Sequence, residues 1–388
     1  MSADADKGGL PQESGSIQEV WTFDLPESLK ARIYQAALVF DKEPVVLAST
    51  SDDILRIVGD FSQKGKALST SLSRKYGKPG EKVLLPSPTI TTSLLETPVG
   101  FILHKHDVIA SLRVVTLEGT NIAEVTDQRH FHYRLAPDGN SFVGIDAGGK
   151  PGGFSAESVI YRFFSRTGQL ISEVQSNPAP GADSSYSPDG KSFLINSKTE
   201  GLSAYNSNGA YRIWNISGAI KFFASADGNV QSVVVAKEGN RHEAQLYQAG
   251  RLIRVVDLQS VGTNEYVHNI AISANGDVIA VSSNKDVAVL VTDNPSQIGH
   301  FRVPEELSIS SLVVGRSGFV AVGAQARRIG TESGFGKVFI LEKNGNLLFQ
   351  ANTKHQRVNA WIPSVQFDPS GRYLLIQTLE SLSLFLFG

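Results

Sequence analysis

Short apolar runs alternate with clusters of turn-forming residues along nearly the whole chain, and the turn clusters recur. Beside such runs the sequence reads Asp-Lys-Glu-Pro at 41–44, Thr-Pro-Val-Gly at 97–100, Pro-Asp-Gly at 137–139 and Pro-Asp-Gly at 188–190. It continues with Ala-Asp-Gly at 226–228, Ala-Asn-Gly at 274–276, Gly-Arg-Ser-Gly at 315–318 and Asp-Pro-Ser-Gly at 368–371. From the last residue of one signal to the last of the next, the spacings are 56, 39, 51, 38, 48, 42 and 53. A second series falls between them: Gly65, Gly119, Gly168, Gly209, Gly250 and Gly345 each separate two apolar runs, with Asn-Pro-Ser-Gln at 294–297 in the remaining place. Val-Phe-Ile-Leu-Glu-Lys-Asn-Gly-Asn-Leu-Leu-Phe at 338–349 is one such hairpin pattern. Glycine and proline–serine clusters supply the backbone angles that tight hairpins need.

A period of roughly 40–50 residues with strands on both sides predicts an all-β, eight-bladed β-propeller in which each repeat is one four-stranded blade. The first series marks the turns between strands a and b, the second those between c and d. The C-terminal run Ser-Leu-Phe-Leu-Phe-Gly at 383–388 leaves the last blade without an outer strand. Glu19-Val20-Trp21-Thr22-Phe23-Asp24-Leu25 alternates like a strand at the other end of the chain and is expected to supply it. Such pairing closes the ring and removes an exposed sheet edge. On this reading residues 16–388 form one domain, preceded by a disordered segment 1–15. Seven blades is the alternative if the region 60–100 holds one irregular blade.

Composition narrows the function classes. The chain has 388 residues, 41% of them hydrophobic, enough for a sizeable core. No window approaches 18 consecutive apolar residues, so no transmembrane helix is expected. The net charge of −2 argues against a nucleic-acid binder. With no cysteine, disulfides, thiolate nucleophiles and cysteine-held metal centres are excluded. The N-terminus has no apolar signal core, and Met1 is the single methionine, as in an exported protein whose leader has been replaced by an initiator. The expected location is therefore periplasmic or extracellular.

Ser-Pro-Asp-Gly-Lys-Ser-Phe-Leu-Ile at 187–195 resembles the repeat of WD40-like and Tol-associated propellers. Gly336-Lys337-Val338-Phe339-Ile340, running through Gly345 to Phe349, resembles the repeat of pyrroloquinoline-quinone-type eight-bladed propellers. The adjacent cysteines and tryptophan-docking pattern of the quinone enzymes have no counterpart here, which speaks against quinone-dependent chemistry. The non-enzymatic members of that group include a bacterial outer-membrane assembly lipoprotein family, similar in size and blade number. The resemblance thus implies a bacterial binding scaffold without a cofactor.

Loops carry function more often than strands do. The d–a and b–c loops of a propeller share one face, and the long connections 74–89, 147–158, 174–183, 259–266, 325–337 and 353–360 all belong to it. Loop 74–89 carries Arg74, Lys75, Lys78 and Lys82 against Glu81; loop 325–337 carries Arg327, Arg328 and Lys337 against Glu332; loop 353–360 adds Lys354 and Arg357. These predict a basic sector that attracts an anionic partner despite the near-neutral total. Phe154 and Phe335 sit in glycine-rich loops of blades three and seven, opposite each other across the channel, and could grip a sugar or peptide.

His104 and His106 end strand b of blade two, and His130 and His132 open strand a of blade three. Residues two apart share a strand face, so four imidazoles could hold a divalent metal. No Gly-x-Ser-x-Gly elbow, phosphate loop or calcium loop is present. Ser73, Ser155 and Ser333 have no identifiable histidine base, and Asp52, Asp53 and Asp183 lack calcium-loop spacing. The expected function is a non-catalytic scaffold that binds a protein or glycan through its loop-rich face. The alternative is a channel-mouth hydrolase or lyase, metal-assisted by the four histidines.

Overall fold

A computed structural model describes residues 17–25, 35–40, 44–50, 54–59, 67–71, 81–86, 89–90, 96–105, 108–126, 132–146, 158–177, 184–225, 230–237, 241–258, 267–294, 298–326, 335–354, 363–368 and 370–387. These residues form eight sheets, seven of four strands and one of five. Each sheet is an antiparallel meander of strands a to d. Blade one uses Gln35–Phe40, Pro44–Ser49, Ile54–Gly59 and Ala67–Ser71, and blade two Glu81–Leu84, Pro98–Lys105, Val108–Thr116 and Asn121–Val125. Blade three has His132–Leu135, Ser141–Asp146, Val159–Ser165 and Leu170–Ser176; blade four has Ser184–Tyr186, Ser192–Ser197, Gly201–Asn206 and Arg212–Ile216. Blade five follows with Ala219–Ala224, Val230–Lys237, Arg241–Gln248 and Arg251–Asp257, and blade six with Asn269–Ile272, Val278–Ser282, Asp286–Val291 and Ile298–Arg302. Blade seven comprises Leu307–Val314, Val320–Ala326, Phe335–Leu341 and Leu347–Lys354, and blade eight Ser364–Phe367, Tyr373–Gln377 and Ser381–Phe387.

The fourth strand of blade eight is Ile17–Asp24, as the alternation at the N-terminus predicts. It runs antiparallel to Ser381–Phe387, from Ile17 opposite Phe387 to Asp24 opposite Ser381, with one bulge between Glu19 and Trp21. Trp21 and Leu25 are buried between blades eight and one, against Leu38, Val46 and Leu384. The ends of the chain are therefore joined by both backbone pairing and side-chain packing.

Among the described residues there is no single central core. The buried apolar side chains fall into eight clusters, one at each junction between neighbouring blades. This follows from the period of two along a strand, which sends alternate residues to the two neighbouring blades. Phe193 and Ile195 face blade three while Leu194 faces blade five.

The turn chemistry is local. Five glycines of the a–b series (139, 190, 276, 318 and 371) and five of the c–d series (119, 168, 209, 250 and 345) adopt positive φ. In blade four, Gly190 N–H donates to Ser187 O at 2.8 Å; Ser187 Oγ donates to Asp189 at 2.6 Å and accepts from Ser192 N–H at 3.0 Å. Blade six repeats this arrangement, Ser273 Oγ donating to Asn275 and accepting from Val278 N–H. The signals at 41–43 and 226–228, Gly65, and residues 295–297 lie outside the described residues.

Blade two departs from the pattern. Thr97–Gly100 is not a tight turn, because strand b begins at Pro98 and strand a ends at Leu84. Residues 85–97 instead form a long connection on the face that otherwise carries short turns. Within it, Thr89–Ile90 add to blade one as a parallel fifth strand beside Leu38 and Val39. Gln35 Nε2 donates to Pro86 O at 2.7 Å, and Leu85 is buried between blades one and two, which holds the connection down. Proline suits the first residue of strand b because it has no N–H to give a ladder. Residues 74–89 are accordingly not one loop: 81–84 are strand a, and Glu81 pairs with Arg113 at 2.8 Å.

Candidate functional site

Most residues singled out for binding lie outside the described residues. Arg74, Lys75, Lys78, Phe154, Arg327, Arg328, Arg357, His106 and His130 are in this group. Backbone placement is available for the rest. Lys82 is in strand a of blade two, His104 near the end of its strand b, and Phe335, Lys337 and Lys354 in strands c and d of blade seven. Lys82, Lys337 and Lys354 thus lie in strands where loops were expected. His132 opens strand a of blade three, opposite Ile145, and is exposed. His104 and His132 both stand at the loop-rich ends of their strands, on adjacent blades.

A site that the sequence reading missed lies between blades three and four at the same face. A crevice of about 310 Å³ is lined on one side by Gln175, Ser176 and Asn177, at the end of the outer strand of blade three. On the other side stand Ile195, Ser197, Ser203 and Tyr205 from strands b and c of blade four, with Thr199 and Glu200 from their connection. Gly201, at φ +78, closes that b–c hairpin opposite Ser197. The Asn177 carbonyl accepts from Lys198 N–H at 2.8 Å, tying the two walls together.

Register explains why the space is open. Phe142 of blade three and Phe193 of blade four occupy equivalent places, since each pairs with the last residue of its strand a. Counting along the ladders from these two, Asp146 and Arg162 in blade three correspond to Ser197 and Ser203 in blade four. In blade three the long Arg162 side chain spans the blade, with its guanidinium bound to Glu173 and 3.8 Å from Asp146. In blade four two serines stand in those places and leave the room unfilled.

The lining is rich in hydroxyl and amide groups. Ser203 Oγ accepts from Asn215 Nδ2 at 2.9 Å, and Ser197 Oγ is 3.2 Å from Thr199 Oγ1. Glu200 is held by Arg212 at 2.7 Å, so its charge is compensated at the rim. Ser176 Oγ is buried and has no hydrogen-bond partner among the described residues. Burial pushes the Tyr205 hydroxyl above its ordinary pKa, against the nearby Arg212 charge, and with Glu200 adding to the rise. Tyr161 and Tyr186, buried in the cluster between the same blades, are raised by burial as well. These phenols are neutral near pH 7, and that of Tyr186 is already paired with Ser141 Oγ and the Ser207 carbonyl.

No protein-family model matches the chain, and no curated protein matches it. Similarity to solved structures is extensive in length and low in identity. The C-terminal WD40 domain of Sif2 superposes with a TM-score of 0.58 at 11% identity, over 95% of this chain and 98% of that one. The computationally designed Ika8 protein gives 0.57 at 14% identity, over 95% and 99%. BamB from Moraxella catarrhalis gives 0.55 at 13% identity, over 96% and 100%. Identities this low speak to fold alone, and with the eight sheets they make this chain an eight-bladed β-propeller.

Proposed function

We propose that this propeller is a non-catalytic scaffold that binds a protein or glycan through its loop-rich face. The observation that carries the reading is the open crevice at that face, lined by hydroxyl and amide groups suited to hydrogen-bonded recognition. Fold does not decide function, because propellers host enzymes and scaffolds alike; the reading rests on the site. The basic residues Arg74, Lys75, Lys78, Arg327 and Arg328 are part of the proposal as a second, electrostatic element drawing an anionic partner to the same face. The location proposed with it is periplasmic or extracellular. Among the described residues no helix is long and apolar enough to cross a membrane.

Affinity capture with the purified protein tests this, comparing wild type with a variant carrying glutamate at Lys75, Lys78, Arg327 and Arg328. A partner retained by wild type and released by the variant supports the reading. The competing hydrolase or lyase would need metal at His104, His106, His130 and His132. Near-stoichiometric zinc or copper in chelator-free protein, lost on His104→Ala plus His132→Ala, would overturn the scaffold reading.

A further inference from the structure

Resting on the binding-scaffold reading and making its ligand specific, we propose that the crevice between blades three and four is a subsite for a neutral saccharide of one or two rings. Its volume, about 310 Å³, falls at the lower end of small-molecule pockets, which run from about 300 to 1,000 Å³. The chemistry of the walls selects among ligands of that size. The described lining residues include no lysine, arginine or histidine, so an anionic ligand would meet no compensating charge. The one carboxylate, Glu200, is already engaged by Arg212, which weakens the claim of a cation. An apolar ligand would strip water from several hydroxyls and give nothing back.

A polyhydroxyl ligand fits these walls because each of its groups can donate and accept at once. Ser176, with Gln175 and Asn177, brings hydroxyl and amide chemistry to the blade-three wall of the crevice. Tyr205 combines a ring with a hydroxyl held neutral, the amphipathic kind of surface a pyranose presents in turn. Ile195 is the one aliphatic residue of the described lining, and it is packed into the cluster between blades three and four.

The test is saturation-transfer NMR and calorimetry on the full chain with glucose, galactose, mannose, N-acetylglucosamine, maltose, lactose, cellobiose and diacetylchitobiose as probes. At least one is expected to bind with Kd below about 10 mM. Ser203→Leu, which fills the crevice, is expected to raise that Kd at least about tenfold. Ser176→Leu fills it from the blade-three wall and serves if the first variant fails to fold. Lys191→Ala, at the opposite end of blade four, should change nothing. Absence of binding by every probe, or binding unaffected by either crevice variant, overturns the proposal. A macromolecular partner still captured in that case, and released by the charge reversal, would leave the scaffold reading standing.

Discussion

At the scale of single residues, the fold depends on turn positions where backbone angle and inter-blade contact are both demanding. Gly209, at φ +68 in the c–d turn of blade four, sits directly on the Phe163 ring of blade three, and an added Cβ would overlap that ring. Gly209→Ala combines a left-handed alanine with overpacking and is expected to destabilise the protein by about 3 kcal/mol. Urea unfolding measures it; a midpoint within error of wild type would show that the contact relaxes freely. Ala249 is the opposite case. It adopts φ +49 beside Gly250, in the two-residue turn between Gln248 and Arg251, where Asn-Gly is the preferred pair. Ala249→Asn is expected to stabilise by about 1 kcal/mol, because asparagine tolerates that conformation better. A fall in stability would mean that the alanine methyl makes a contact worth more than the strain.

At the scale of elements, the closing strand matters most. Ile17–Asp24 pairs along nearly its whole length with Ser381–Phe387 and buries Trp21 to 1% exposure between the last blade and the first. Removing residues 16–25 opens a sheet edge and takes Val20, Trp21 and Leu25 out of the cluster between blades eight and one. Loss of a cooperative melt is the expected outcome, and an unchanged melting temperature would refute the closure. Trp21→Ala keeps the backbone pairing and tests packing alone, with an expected cost of about 3–5 kcal/mol. This strand was legible in the sequence because alternation and chain position sufficed to assign it. The 85–97 connection was not. Its parallel pairing beside Leu38 and Val39 joins segments far apart in the chain, and no local pattern announces a two-residue strand.

At the scale of the whole molecule, the eight blades set neighbouring outer walls and long loops around one face. If the loop charges act together, glutamate at Lys75, Lys78, Arg327 and Arg328 should weaken an anionic partner. It should also flatten the salt dependence of wild-type binding between about 50 and 500 mM salt, where screening length falls steeply. Equal affinities at low salt would reduce the basic sector to solvated surface. The crevice belongs to this scale too, since its two walls come from different blades and exist only once the ring has assembled.

The chain's own order of residues determined the blade count, the ten turn glycines of positive φ and the way the ring closes, while the 97–100 signal misplaced a turn. Turn chemistry acts over three or four residues, as in Ser187, Asp189 and Gly190, and strand alternation has a period of two, so both are written locally. Tertiary structure alone decided where a ligand could sit. Ser197 and Ser203 read as ordinary strand serines until pairing sets them in the places that Asp146 and Arg162 hold one blade earlier. A one-residue change of register would turn them toward blade five and close the crevice. Cavities arise from what neighbouring blades fail to fill, and that is a property of packing between distant segments.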